Sequence, residues 1–264
     1  MTTAKKTRCF FSDTPLTHEG QLIVLQPDET RHIQLTLRLE PGSDVRVTDG
    51  LGHEALAAIT SFEADHTTRL TLTRILQTPS PAEGSRLTLR LFAAFAAKGV
   101  MDELIEKGQE LGVASFHPLM TERTVVSLAA EKEGKVLERW YKISREAAKQ
   151  SGNAALIQIA RPITLEAALK MIPPGEDILF FHPGPSSRAF EEWLRDSRPK
   201  SGQASVLNLF IGPEGGFSDR EVLKAREASG LYGIRMTLIS LGKSILRVST
   251  AVVAAVAALK YSQR

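Results

Sequence analysis

Leu207-Asn208-Leu209-Phe210-Ile211-Gly212-Pro213-Glu214-Gly215-Gly216-Phe217-Ser218-Asp219-Arg220-Glu221 begins as an apolar run and stops abruptly in a loop holding three glycines and a proline. Ser218 and Glu221 have the S-x-x-E spacing of a capping box, which opens a helix by satisfying orphan N–H groups of its first turn. The stretch therefore reads strand, Gly-rich loop, helix. Glycines at such a bend let the backbone adopt positive φ or pass close to a ligand with no side chain between. One such loop alone is equally well a tight βα turn without a ligand.

The same grammar returns downstream. Met236-Thr237-Leu238-Ile239-Ser240-Leu241 reads as a second buried strand, followed by Gly242-Lys243-Ser244-Ile245-Leu246-Arg247. A helix is expected from Ser249 or Thr250. Its body, Ala251-Val252-Val253-Ala254-Ala255-Val256-Ala257-Ala258-Leu259, is small and apolar nearly all round, the pattern of a helix buried against a sheet or another subunit. Two glycine-containing loops at the carboxyl ends of neighbouring strands would form the cleft where open α/β sheets bind ligands.

A chain of 264 residues suits one large domain or two. Apolar content of 42% and charged content of 24% are ordinary for a soluble protein. Cys9 is the single cysteine, so no internal disulfide forms, and the six histidines show neither zinc spacing nor an H-x-x-x-H pair. No protein-bound metal is expected. No apolar run has membrane-spanning length, and the basic start Met1-Thr2-Thr3-Ala4-Lys5-Lys6 lacks the apolar core of a signal peptide, which implies a cytoplasmic protein. The net charge of +3 permits a nucleic-acid partner without demanding one. Residues 1–85 carry 8 Lys and Arg against 11 Asp and Glu, so RNA contact there would need a local patch.

Residues 1–78 read as a small β unit. Gln21 to Leu25 is a short strand, Glu29 to Leu39 has helical spacing, and Pro41-Gly42-Ser43-Asp44 is a turn. Asp44 to Gly50 alternates and ends in an Asp-Gly turn, followed by strand-like Glu54 to Phe62 and Thr67 to Leu76. Short strands about ten residues apart suggest a barrel. A linker is expected at residues 79–85, Pro79-Ser80-Pro81-Ala82-Glu83-Gly84-Ser85. From residue 86 to 264 strands and helices alternate: Leu87 to Ala93, a helix through Leu104 closed by Gly112, Ala114 to Leu119, a long helix around Trp140, Ile157 to Ile159, a helix from Thr164, Ile178 to Phe181, and a helix near Ala189 to Leu194. That alternation specifies an α/β domain with a mostly parallel sheet.

The pairing of Ile211-Gly212-Pro213-Glu214-Gly215-Gly216-Phe217-Ser218 with Leu241-Gly242, Ile245-Leu246-Arg247 and Thr250-Ala251 resembles the RsmE-type uridine-N3 methyltransferases of small-subunit ribosomal RNA, members of the SPOUT superfamily. Fainter echoes span the chain, among them Thr30-Arg31-His32-Ile33, Thr121-Glu122-Arg123 and His182-Pro183. The resemblance implies an N-terminal PUA-like β-barrel and a SPOUT α/β domain whose C-terminal chain passes through a trefoil knot. It implies S-adenosylmethionine as cofactor, ribosomal RNA of the small subunit as partner, and a homodimer. By the same resemblance, cofactor-binding positions are Phe181, His182, Ile211, Gly212, Pro213, Glu214, Gly215, Gly216, Leu241, Gly242, Ile245 and Leu246. Arg247 would position the substrate uracil, its other readings being a phosphate clamp or a salt bridge to Glu214; Arg8, Arg31, Arg38, Lys98 and Arg123 would face RNA, each being otherwise a solvated surface cation. No general base is identified; His182 beside Pro183 is equally a structural histidine.

The match has departures. The family's second loop commonly carries an acidic residue where Ser249 stands, and its Glu-Gln-Ser-Gly-Arg run is Lys149-Gln150-Ser151-Gly152-Asn153 here. Arginine suits bidentate phosphate contact and asparagine does not. An RNA-binding or ribosome-assembly protein of the same fold with altered or lost methylation is the alternative reading. Gly242-Lys243-Ser244 looks like the end of a phosphate-binding loop, but Thr237 stands where that motif needs its first glycine.

Overall fold

The computed structural model describes residues 9–78, 87–124, 130–196 and 205–262. The expected linker and Arg8 lie outside the described residues. The chain divides into two compact units: Met1–Gly84 with Arg145–Leu156, and Ser85–Ser144 with Ile157–Arg264.

In the first unit the sheet order is β1(Cys9–Phe11), β3(Asp44–Thr48), β4(Glu54–Phe62), β5(Thr68–Gln77), β2(Leu22–Leu25). The β1–β3 pair is parallel and the other ladders are antiparallel. β1 and β2 end the order, and no ladder joins them among the described residues. The predicted helical segment splits into α1(Pro27–Arg31) and a π-helical turn His32–Leu37, closed by Arg38 in the left-handed region at φ 52°. Phe10, Ile23, Leu25, Val45, Val47, Ile59 and Leu70 form the core of this unit. Its Asp-Gly turn is held by Asp49, whose Oδ1 accepts from the Leu51 N–H at 2.8 Å and whose Oδ2 accepts from the Leu16 N–H at 3.1 Å. Gly50 sits at φ +74°, and a Cβ there would lie 2.7 Å from Leu156 Cδ1.

In the second unit, the sheet order is β11(Arg188–Ala189), β13(Arg235–Ser240), β10(Asp177–Phe181), β12(Ser205–Ile211), β6(Leu87–Ala94), β7(Ser115–Met120), β8(Gln158–Ile159), with β9(Ile163–Thr164) also on β7. All of its ladders are parallel. Side chains alternate across a strand, and both faces here are apolar. Leu87, Leu89, Leu91, Leu179, Leu207 and Leu209 pack toward one face with α2(Lys98–Glu110), α5(Phe190–Asp196) and α7(Val248–Tyr261). Phe92, Ile178, Phe180 and Phe210 pack toward the other with α4(Leu165–Met171) and α6(Asp219–Tyr232). A parallel sheet covered on both faces requires such unbroken apolar strands.

Helix ends follow local chemistry. Thr164 caps α4 by accepting from the Ala167 N–H, Gly112 follows α2 at φ +69°, and α6 has the complete Ser218–Glu221 capping box. α7 starts at Val248 with Arg247 as N-cap, one or two residues earlier than the Ser249 or Thr250 start predicted above. Arg247 turns the backbone at ψ 153°, so the helix begins directly after it. Ala251, Val252, Ala255, Val256 and Leu259 are buried on the sheet, so the chain itself covers much of α7's apolar surface.

The helix α3(Ala130–Ser151) carries Arg145 and Lys149 into the first unit. Lys149 Nζ lies 2.7 Å from Glu29 Oε1, and the Arg145 guanidinium sits 4.8 Å above the Phe11 ring. The lysine that departs from the family's run thus has a carboxylate partner 6% exposed.

Gly50→Ala places a β-carbon in the left-handed region and against Leu156, which should cost about 1–3 kcal/mol. Amide hydrogen exchange should show protection falling in β3 and β4; unchanged protection would show that the turn tolerates the side chain.

Candidate functional site

Three parallel strands end level with one another. The register pairs Phe181 with Ile211 and with Ile239, so β10, β12 and β13 release their loops from one edge of the sheet. Those loops surround a cavity of about 530 Å³ lined by Phe181–Pro185, Ile211–Phe217, Asp219, Ile239–Leu246, Val248, Ala251 and Arg123. This is the carboxyl edge of an open α/β sheet, where ligands of such folds bind, and the volume falls in the usual range for small-molecule sites.

The first loop is shaped from below. Phe217 is 1% exposed and inserts into the aromatic layer beneath, 4.2 Å from the Phe180 ring, which stacks at 5.9 Å on Phe210. That insertion brings the Phe217 backbone back over Gly212. A Cβ on Gly212 would lie 3.0 Å from Phe217 N and 3.1 Å from Gly216 C, so a side chain there would press on the returning backbone. Gly216 closes the turn at φ +68°, its N–H donating to Pro213 O at 2.7 Å. A Cβ on Gly216, or on Gly242 at φ +110° in the second loop, would meet nothing within 4 Å. Backbone conformation explains those two glycines.

A neighbouring turn clasps the first loop. Glu221, 3% exposed, accepts from the Ser218 N–H at 2.8 Å with one oxygen and from the Glu122 N–H at 2.9 Å with the other. The Ser218 hydroxyl donates to Glu122 Oε2 at 2.6 Å, and Arg123 donates to the carbonyl of Gly215. The turn itself is closed by the Thr121 N–H donating to Thr124 Oγ1 at 2.9 Å.

His182 heads the third segment of the wall. Its N–H donates to Ile239 O at 2.9 Å, and its carbonyl accepts from the Ser187 hydroxyl at 2.5 Å. The ring Nδ1 is buried with no partner among the described residues. Burial pulls the imidazole below its ordinary value of 6.5; Arg123 and Arg226 push the same way while Asp219 opposes them. The ring is therefore neutral near pH 7. Its buried nitrogen is available to a ligand, as donor or acceptor according to tautomer.

Phe181, His182, Ile211 through Gly216, Leu241, Gly242, Ile245 and Leu246, expected at the cofactor from the resemblance, all line this one cavity. Arg247 follows the lining residue Leu246 directly; it is exposed and has no ion pair among the described residues, Glu214 included. Of the residues expected to face RNA, Arg31, Arg38, Lys98 and Arg123 are all exposed on their units, and Arg123 also lines the cavity. Sequence reading missed Phe217, Asp219 and the Glu122–Glu221 contacts. Phe217 stood within the quoted motif, but only packing shows that it anchors the loop. Among the described residues no group of His, Cys, Asp and Glu has the arrangement of a metal site, and no helix is long and apolar enough to cross a membrane.

A parallel sheet with a cavity at its carboxyl edge and an attached β unit defines a two-part α/β ligand-binding protein. A family model for an RNA methyltransferase domain matches residues 83–260, and one for an RNA methyltransferase PUA domain matches residues 25–65. Ribosomal RNA small subunit methyltransferase E of Synechocystis is 31% identical over 235 residues, 89% of this chain and 71% of that protein. The Bacillus subtilis protein of the same name is 28% identical, covering 92% of this chain and 91% of its own length. A Legionella pneumophila methyltransferase solved with bound SAM superposes with a TM-score of 0.81 at 27% identity, covering 97% of this chain and 98% of that one. Ribosomal RNA small subunit methyltransferase E of Neisseria gonorrhoeae, bound to S-adenosyl methionine, gives 0.78 at 26% identity, covering 97% of both chains. The chain belongs to the RNA methyltransferase family, alongside the ribosomal RNA small subunit methyltransferases E.

His182 should titrate below 6.5 by NMR, and Asp219→Asn should lower it further by removing the one opposing charge. Because folding depresses this pKa, its stabilising contribution is complete above 6.5 and is lost as pH falls toward the folded value. A ring titrating at or above 6.5 would show that it is solvated rather than buried.

Proposed function

We propose that this chain uses S-adenosylmethionine to methylate N3 of a specific uridine in small-subunit ribosomal RNA. The observation that carries the reading is that all twelve residues expected at the cofactor line one cavity, formed by loops leaving level strands of a parallel sheet. The cavity fits the cofactor chemically as well. Its wall combines apolar Phe181, Ile211, Ile239 and Leu241 for an adenosine with the orphan Nδ1 of His182 for a polar edge. When bound, S-adenosylmethionine supplies a methyl group already activated on a sulfonium.

The protein's own residues then have defined work. The loop at Gly212–Gly216, pinned by Phe217, holds its backbone groups in place before any ligand arrives, so little reorganisation opposes binding. Arg247, fixed at the start of α7 beside the lining residue Leu246, holds the uracil carbonyls and favours the anionic N3 state electrostatically. N3 exchanges its proton for the methyl group, so the base must be unpaired or extruded when it enters. Arg31, Arg38 and Lys98 are exposed cations available to RNA phosphates. The arrangement is further proposed to include a PUA-like barrel in residues 1–78, a SPOUT domain in 86–264 with the trefoil knot in its C-terminal strands, and a cytoplasmic location.

The departures at Lys149 and Ser249 have local accounts. Lys149 is neutralised by Glu29, and Ser249 is 9% exposed in the first turn of α7, where a carboxylate would be desolvated. Neither disturbs the cavity.

Labelled methyl from S-adenosylmethionine should transfer to small ribosomal subunits lacking native uridine-N3 methylation and map to one N3-methyluridine. Arg247→Ala should cut transfer at least about tenfold while leaving cofactor affinity unchanged, the loss expected for a charge-assisted contact made mainly to the substrate. Cofactor binding without transfer to any ribosomal RNA would favour the assembly-protein alternative instead.

A homodimer is part of the proposal, supported by Ile245 and Tyr261, 87% and 59% exposed near the cavity and at the end of α7. Light scattering at micromolar concentration should give twice the chain mass; a stable monomer would remove the dimer.

A further inference from the structure

We infer that Arg123 is the residue that recognises the α-carboxylate of the cofactor, rather than a contact for RNA phosphate. This rests on S-adenosylmethionine being the ligand of the cavity.

Arg123 lines the cavity, with its Cδ 3.4 Å from the position a Cβ on Gly215 would take and one N–H group donating to Gly215 O. That contact anchors the guanidinium against the glycine loop. It also leaves most of the five donors of the fork unused. No carboxylate pairs with Arg123 among the described residues, although several stand close by. Glu221 spends both oxygens on the amides of Ser218 and Glu122. Glu122 accepts from the Ser218 hydroxyl and faces Arg220 Nε at 3.8 Å. Glu221 and Glu122 are thus engaged by other groups, while among the described residues the guanidinium on the wall bonds a backbone carbonyl and no carboxylate, Glu214 and Asp219 of the same lining included.

An anchored guanidinium with free parallel donors matches a carboxylate, which it binds through two N–H···O bonds. S-adenosylmethionine has one carboxylate, on its amino-acid end beside the α-ammonium, and a cation would bind the carboxylate while repelling the ammonium and the sulfonium. Arg123 therefore fixes polarity as well as affinity: the amino-acid end lies toward Gly215 and Arg123, and the sulfonium lies away from them. The other lining cation, Lys243, is exposed on the second loop and has no such anchor.

Three ligands separate this role from the others. S-adenosylmethionine and S-adenosylhomocysteine both carry the carboxylate, whereas 5′-methylthioadenosine keeps adenine, ribose and sulfur but lacks it. Calorimetry on the full chain should show Arg123→Gln binding the first two about ten- to a hundredfold more weakly, the scale of a lost charge-assisted pair. Affinity for 5′-methylthioadenosine should stay within twofold. Arg123→Lys should recover part of the loss, because charge is restored without the fork. Equal weakening of all three ligands by Arg123→Gln would overturn the assignment and leave Arg123 as a support for the loop. Unchanged affinity for all three, with weaker binding of ribosomal RNA, would overturn it in favour of a phosphate contact. If wild type binds none of the three, the cofactor reading of the cavity itself fails, and the assignment falls with it.

Discussion

The site depends on the close approach of Phe217 to Gly212. The aromatic layer of Phe92, Phe210 and Phe180 extends to Phe217, which draws the end of the glycine loop down into the core and folds its backbone over the start. A β-carbon beneath that return would meet the backbone of Phe217 and Gly216 at 3.0–3.1 Å, tighter than ordinary packing. A buried phenylalanine contributes a few kcal/mol by removal of its surface from water, about 1.5–3 for full burial. The packing of the sheet's lower face thereby supports the shape of a loop on its edge. Core and site are coupled through one side chain.

Around that anchor Ser218, Glu221 and Glu122 are tied to one another. Glu221 accepts two amide N–H groups from different segments, and the Ser218 hydroxyl both accepts from the Glu221 N–H and donates to Glu122. Buried networks of this kind rigidify when satisfied and are costly when broken. His182 Nδ1 stands apart from that network. Its neutrality follows first from burial, with neighbouring arginines adding to it. An unsatisfied nitrogen on the wall of a cavity is a cost that a bound ligand can relieve.

Much of this was legible from the residues. The apolar runs at Val206 to Ile211 and Ile178 to Phe181, the S-x-x-E spacing, the Asp49-Gly50 turn and the helix from Thr164 are local signals, each with a local cause, and the structure contains each to within a residue. The start of α7 was misplaced because Ser249 and Thr250 are favourable caps by composition. The backbone instead turns at Arg247, which makes no side-chain cap bond. The pairing of Lys149 with Glu29 was not legible because Glu29 lies far away in sequence. Arg123 read as a surface cation for the same reason: its partner is the carbonyl of Gly215.

By itself the sequence determined which stretches become strands and helices, which faces are apolar, and that two glycine loops follow buried strands. Those properties arise from neighbours a few residues apart, through periodicity, capping and turn preference. Tertiary structure alone decided that β10 lies between β12 and β13, so that Phe181, Ile211 and Ile239 finish level and their loops enclose one space. It also decided which cation belongs to that space, since Arg123 and Gly215 are 92 residues apart along the chain. Strand order and long-range pairing depend on the simultaneous burial of several elements, and no local spacing encodes it.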